Sequence, residues 1–226
     1  RPPMWRFWRA LPPKGKIGML FGSWYTAPII DRVFKRTKPN DLARAIEEIN
    51  RFEKMLADDG ALILKFWFHL SKKRQKKRLK ALADDPETSW KITKRDWDFF
   101  KFYDRFYDVS EQALRGTSSA WAPWIVVEGS DPEYRAVTVG RTLLEAMKKR
   151  LAAPPERRAK KSDAPPLVRP VDNLQVIDTL DLSLSLARDK YRKSLRKNQR
   201  ELALLTRHPD FIKHTVVAVF RSEEHT

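Results

Sequence analysis

The sequence predicts an α/β fold in which a parallel β-sheet is covered by helices, and three observations predict it. An amphipathic helical pattern over residues 40–58 runs directly into a near-continuous apolar segment, 61–70. Two further short apolar runs, 17–21 and 125–127, are bounded by turn residues, and the second leads into another helical stretch. Strands apolar on both faces, alternating with helices, are the pattern of a parallel sheet with helices on both sides.

The elements follow in order. Residues 1–9 read Arg-Pro-Pro-Met-Trp-Arg-Phe-Trp-Arg. The proline pair suits a helix start, and Trp5 and Trp8, like Arg6 and Arg9, then fall three apart. Residues 11–15 form a turn, 17–21 a buried strand and 28–34 a helix. In the helix over 40–58, Leu42, Ile46, Ile49, Phe52, Met55 and Leu56 keep the helical period. Asn40 or Asp41 can cap its start, and Asp58-Asp59-Gly60 stops it. After the strand 61–70, Ser71 caps a helix dense in Lys72, Lys73, Arg74, Lys76, Lys77, Arg78 and Lys80. Residues 97–114 are expected as one aromatic-rich helix, 125–127 as a strand and 135–151 as the next helix. Prolines at 154, 155, 165, 166 and 170, mixed with basic residues, mark a linker. A basic helix over 187–205 and a strand over 216–220 follow, as at the start of an α/β unit.

At 226 residues, with 42% apolar residues including eight tryptophans and twelve phenylalanines, the chain can bury a sizeable core. Its formal charge of +17 points to a polyanionic partner: nucleic acid, an anionic membrane or a phosphorylated small molecule. The absence of cysteine excludes disulfides and thiolate metal sites. The four histidines lack metal-ligand spacing. No apolar run has the length of a membrane span, so no membrane partner is expected, and the cytoplasm is the expected compartment. The first residue is Arg rather than Met, and the natural chain is expected to begin upstream.

Two readings stay open for each charged cluster. The run from Lys72 to Lys80 suits a solvated helix face. It also begins directly after a strand, at the carboxyl edge where ligands of open α/β sheets gather and where a helix N-terminus favours anions. Lys65 lies inside an apolar strand, where an unpaired ammonium is costly, so it meets a carboxylate or a phosphate, or snorkels outward. Arg6 and Arg9 suit forked hydrogen bonds to phosphate or a platform for single-stranded bases, while Trp5, Phe7 and Trp8 equally suit the core. Residues 128–131 serve a turn or a nucleotide. No glycine-rich phosphate loop ending in Gly-Lys-Ser/Thr, no dinucleotide fingerprint and no catalytic triad is present.

Six ordered blocks over residues 1–145 carry a resemblance: Trp5-Arg-Phe-Trp-Arg-Ala-Leu-Pro-Pro-Lys-Gly15, Gly22-Ser-Trp-Tyr25, Phe52-Glu-Lys-Met-Leu-Ala-Asp-Asp-Gly60, Lys65-Phe-Trp-Phe-His-Leu-Ser71, Ser89-Trp-Lys-Ile92 and Ala122-Pro-Trp-Ile-Val-Val-Glu128. Together they resemble the polyphosphate kinase type 2 family, most closely the first half of its two-domain polyphosphate:AMP phosphotransferases. The resemblance implies a P-loop-kinase-like three-layer fold with a helical lid, incomplete because the upstream strand and Walker A loop are absent, which would leave an exposed edge or a hole in the sheet. It implies transfer of a phosphoryl group from inorganic polyphosphate to AMP, giving ADP, with Mg²⁺ in the intact enzyme.

The family strand ends in Asp-Arg-Ser-Trp-Tyr, where aspartate serves the magnesium and arginine the phosphates. Here Phe21 and Gly22 replace that pair, so this domain is expected to be a degenerate binding or structural half without catalytic residues. By resemblance, Arg6, Arg9, Lys14, Lys65, Lys72, Lys73, Lys76 and Lys77 are the phosphate-binding candidates, and Trp24, Tyr25, Trp67, Trp90, Trp121 and Trp124 mainly pack. The expected division is a kinase-like domain over 1–151, a linker over 152–178 and the beginning of a second kinase-like domain over 179–226. Ser222-Glu223-Glu224 is similar to the acidic stretch that precedes the lid. A homo-oligomer is expected, and nucleic acid is the disfavoured partner. The rival readings are a nucleic-acid-binding module and a ligand-free structural pseudo-kinase domain.

Overall fold

The computed structural model describes residues 4–152 and 180–222; all of the expected linker but Ala152, and the acidic pair Glu223-Glu224, lie outside them. The described residues form four strands, β1 (Ile17–Phe21), β2 (Ala61–His69), β3 (Trp124–Glu128) and β4 (Thr215–Ser222). Eight helices accompany them: α1 (Trp5–Trp8), α2 (Thr26–Val33), α3 (Pro39–Asp58), α4 (Lys72–Asp84), α5 (Lys94–Lys101), α6 (Tyr103–Thr117), α7 (Pro132–Ala152) and α8 (Arg188–Thr206). All sheet pairings are parallel, in the order β1-β4-β2-β3.

Strand periodicity sorts the core onto two faces. Ile63 and Trp67 of β2, with Val217 and Val219 of β4, face a layer built from Trp24, Tyr25, Ile29, Leu42, Ile49, Phe52 and Phe106 of α2, α3, α6 and the turn after β1. Leu64, Phe66, Val127, Ala218 and Phe220 face Val139, Leu143 and Ala146 of α7. Helix α8 packs outside, its Leu202 and Leu205 meeting Met147, Phe211 and Val216. The result is three layers, as expected for the class.

Several expectations are refined. Asp41 does cap α3, but from the third helical position: its Oδ2 accepts from the Lys38 amide at 2.8 Å, with Pro39 opening the helix. Ser71 Oγ accepts from the Arg74 amide at 3.4 Å, as a cap should. The expected single helix over 97–114 breaks at Phe102, where ψ reaches 16°. Residues seven apart on a straight helix rise about 10 Å, yet the Phe99 and Phe106 rings stack at 5.5 Å and both close on Phe34. The break permits that cluster. The segment matched to a lid contributes only the single turn α1, held to the core by Phe7 against Trp24 and Trp8 against Phe52.

Residues 180–222, expected to open a second kinase-like domain, supply strand β4, which lies in the same sheet between β1 and β2. Val216 to Phe220 are all 9% exposed or less, so β4 is apolar on both faces. Such a strand is buried only between neighbours with helices above and below, and the gap between β1 and β2 offers that place. The hole anticipated in the sheet is thereby filled.

Candidate functional site

The site is built at the carboxyl edge of the sheet, where four strand ends and the segments leaving them converge. At the end of β1, Gly22 adopts φ 82° and Ser23 φ 44°, a turn that suits glycine. The Gly22 amide donates to Phe220 O at 2.9 Å, tying the turn to β4. A β-carbon added to Gly22 would lie 2.5 Å from Thr26 Oγ1 and 3.8 Å from an Arg221 guanidinium nitrogen. The turn sends Trp24 and Tyr25, each 1% exposed, down into the core.

There they meet a buried charge pair. Lys65 Nζ donates to Glu53 Oε2 at 2.7 Å and to Thr117 O at 2.6 Å, and lies 3.2 Å from the Tyr25 hydroxyl. Trp24 Nε1 and the Tyr25 hydroxyl donate to the other Glu53 oxygen at 3.0 and 2.5 Å. Burial lowers the Lys65 pKa, against the opposing pull of the Glu53 carboxylate. Burial, and then the same carboxylate, hold the Tyr25 hydroxyl well above its ordinary range. Lys65 is therefore corrected as a phosphate candidate: its side chain is 0% exposed and a carboxylate takes its charge.

At the ends of β2 and β3 the acidic residues are committed to structure. Glu128, fully buried, accepts from Arg74 at 2.9 Å and from the Ser130 amide at 3.0 Å, and Arg74 also donates to Ser130 Oγ. That clamp pins the first turn of α4 to the β3–α7 turn. Asp131 caps α7 through the Glu133 and Tyr134 amides and accepts from the Leu186 amide at 2.9 Å. Partial burial would raise its carboxyl, but these amides and Arg135 hold it below the usual carboxylate range. Residues 128–131 are thus a hydrogen-bonded turn.

Between these elements opens a cleft of about 1010 Å³. Five cations line it: Arg78 from α4, Lys91 and Arg95 around the start of α5, Arg135 from the first turns of α7, and Arg221 from β4. Its floor is aromatic. The rings of Phe21 and Phe220 stack at 5.3 Å, Phe220 and Phe68 at 6.0 Å, and the Arg135 guanidinium lies 5.4 Å over Phe68. Arg221 is 6% exposed and donates to Thr26 Oγ1 at 3.3 Å. Burial lowers its pKa to about 10, so it stays charged near neutrality but at a desolvation cost that an anion would offset. Among the described residues, the one carboxylate lining the cleft is Asp96, which caps α5 by accepting from the Thr93 amide and hydroxyl at 2.7 and 2.6 Å. Partial burial works against its ionisation, yet those hydrogen bonds keep its pKa lowered.

The sequence candidates lie elsewhere. Arg6, within α1, and Arg9, just after it, are exposed, with Arg6 over the Phe7 ring at 4.5 Å. Lys14 sits before β1, at the amino edge, where Gly15 donates to His214 O. Lys72 pairs with Asp104 at 2.5 Å, and Lys73, Lys76 and Lys77 are exposed on α4 without lining the cleft. Of the aromatics expected to pack, Trp24, Tyr25, Trp67 and Trp124 are buried, whereas Trp90 is 74% exposed. The five cleft cations share a legible signal: each lies at a strand end or in a segment that follows one, and Lys91 belongs to the Ser89-Trp-Lys-Ile92 block.

Among the described residues no group of three acidic or histidine side chains could hold a metal ion. With Asp96 engaged and Phe21 at the end of β1, the cleft does not fit a protein-held Mg²⁺, which needs carboxylate oxygens. Its chemistry is that of multidentate anion binding.

Residues 2–155 match the family described as Polyphosphate kinase 2. The chain is 50% identical over 99% of its length to a polyphosphate:AMP phosphotransferase of Pseudomonas aeruginosa, and 46% identical over the same share to one of Pseudomonas syringae pv. tomato. It spans 45% of the length of each. A crystal structure of polyphosphate kinase 2 from Arthrobacter aurescens superposes with a TM-score of 0.64 at 32% identity, over 73% of this chain and 57% of that one.

Proposed function

The chain belongs to the polyphosphate kinase 2 family, and from that premise we propose that its cleft binds inorganic polyphosphate without transferring phosphate. The intact protein moves a phosphoryl group from polyphosphate to AMP, giving ADP, and this half holds or guides the phosphate chain. One observation carries the reading. Five cations converge on the carboxyl edge of the sheet, while the end of β1 offers Phe21 and Gly22 where metal and phosphate chemistry needs charged groups. Linked phosphates answer five cations together, whereas a single small anion answers one or two. Mg²⁺ enters as the counterion of the substrates and of a transfer site outside this cleft, where it would stabilise charge on the moving phosphoryl group.

The test is incubation of the full-length protein with polyphosphate, AMP and Mg²⁺ while ADP is followed. ADP should form only with polyphosphate present, and none above the polyphosphate-free control would sink the activity. The 226-residue chain alone should gain thermal stability with polyphosphate at physiological salt but make no ADP. A ligand-free structural domain would show no thermal shift.

A further inference from the structure

Helix α8 carries Arg188, Arg192, Arg196 and Arg200, each four residues after the last. Residues four apart share one face of a helix and rise about 6 Å each, so these arginines form a ridge about 18 Å long. All four are exposed. Among the described residues none of them shares an ion pair with a carboxylate, and Glu201 on the same helix is taken by Lys148. Like charges at this spacing weaken a helix, and Arg188 stands at its positive end, where a cation is again unfavourable. An anion laid along the ridge would answer both costs.

The place of the ridge says which anion. Helices α7 and α8 run side by side in the same direction: Asp131 accepts from the Leu186 amide at 2.9 Å, Gly140 faces Asn198, and Lys148 pairs with Glu201. Helix α7 leaves the carboxyl edge of the sheet, so α8 starts there too and carries its ridge toward the amino edge. Arg135, one turn beyond Asp131, lines the cleft. The ridge therefore begins beside the cleft wall and leads away from it. Helix α4 differs. Its Lys72 and Arg74 are paired with Asp104 and Glu128, and its exposed Lys73, Lys76 and Lys77 are point charges rather than guanidinium forks.

We infer that the arginine ridge of α8 is a track for the part of a linear phosphate polymer that extends beyond the cleft, and that it makes the protein prefer long polyphosphate to short. The inference rests on the proposed phosphate reading of the cleft and deepens it. The cleft holds one stretch of the polymer, and the ridge adds contacts only when the polymer is long enough to reach it. Tripolyphosphate gains nothing from α8. The ridge binds, and no bond is made or broken there.

The test is isothermal titration of the 226-residue chain with tripolyphosphate and with long-chain polyphosphate at physiological salt. Arg192→Gln, Arg196→Gln and Arg200→Gln together should weaken the long polymer about 10-fold, the sum expected of three exposed charge contacts, and leave tripolyphosphate unchanged. Unchanged tripolyphosphate binding also shows that the variant is folded. Lys73→Gln, Lys76→Gln and Lys77→Gln together remove the same charge from α4 and should preserve the preference for the long polymer. A preference that survives the α8 variant, or falls as far in the α4 variant, overturns the ridge alone. A single-stranded oligonucleotide that binds as tightly as the long polymer, and loses as much in the α8 variant, would make the ridge a nucleic-acid surface instead. Failure of both phosphate ligands to bind overturns the phosphate reading as well.

Discussion

Lys65 and Glu53 form a fully buried ion pair, with Nζ and Oε2 2.7 Å apart and neither side chain exposed. Helix α3 and strand β2 are thereby joined under the turn that ends β1, and Tyr25 and Trp24 complete the carboxylate's shell. Removing one partner leaves an unpaired charge in the core. Lys65→Met is therefore expected to lose about 3–5 kcal/mol of stability. The double variant Lys65→Met with Glu53→Leu should lose less than the two single losses added together. Urea denaturation of all three variants checks this, and additive losses would show that the pair is not coupled.

Cleft cations and outer cations should separate in binding. Arg78→Ala or Arg95→Ala removes a charge-assisted contact and is expected to weaken tripolyphosphate about 10- to 100-fold. Lys73→Ala or Lys76→Ala, exposed on α4 outside the cleft, should cost only a few-fold, and that cost should vanish at high salt. Titrations at two ionic strengths decide it. Equal effects from both groups would place the anion on the helix face instead.

Gly22 is required by backbone shape and by space. Gly22→Ala combines φ 82° with a contact of 2.5 Å to Thr26 Oγ1, so a loss of about 1–3 kcal/mol is expected. Thr26→Ala in the same chain should recover only the part due to the contact, because the dihedral is unchanged. Phe21→Asp with Gly22→Arg should still produce no ADP from the 226-residue chain, because the sequence also lacks a glycine-rich phosphate loop. Turnover by that pair alone would show that the loop is not needed.

Arg221 exchanges stability for charge. Burial lowers its folded pKa to about 10, below the ordinary guanidinium value, so the folded state sheds the proton before the unfolded state does. Above about pH 10 and up to the ordinary guanidinium range the unfolded chain binds more protons, and the contribution of this group to stability rises with pH. Below about pH 10 the penalty is complete. Arg221→Met is thus expected to stabilise the empty chain at pH 7, by a margin that shrinks above pH 10, while weakening tripolyphosphate binding. Denaturation at pH 7 and near pH 10.5, with and without ligand, measures both. A variant that is destabilised at pH 7 would show that the guanidinium's hydrogen bonds outweigh its desolvation.

Local pattern carried much of the fold. The run Ile17–Phe21 is a strand with those bounds, and the Ser71 cap starts α4 where its hydroxyl implied. These features depend on residues within a few positions of one another. The break at Phe102 was hidden because its cause is Phe34, far back on the chain, around which Phe99 and Phe106 close. The candidate site was legible only as a region. The carboxyl edge was the right place to look, but a dense run such as Lys72 to Lys80 outweighed scattered single cations in the sequence.

What the sequence by itself determined is the class of the chain, its strands and helices, its excess of positive charge and the substitution of Phe21 and Gly22 in a recognisable block. Those properties are local or additive. Only the tertiary structure decided that β4 fills the space between β1 and β2, that Lys65 answers Glu53, and that Arg78, Lys91, Arg95, Arg135 and Arg221 face one cleft. The physical reason is that parallel strands need long crossovers. Each crossover returns the chain to the same edge of the sheet, so residues as distant as Phe21 and Phe220 become neighbours through strand register, which sequence separation does not reveal.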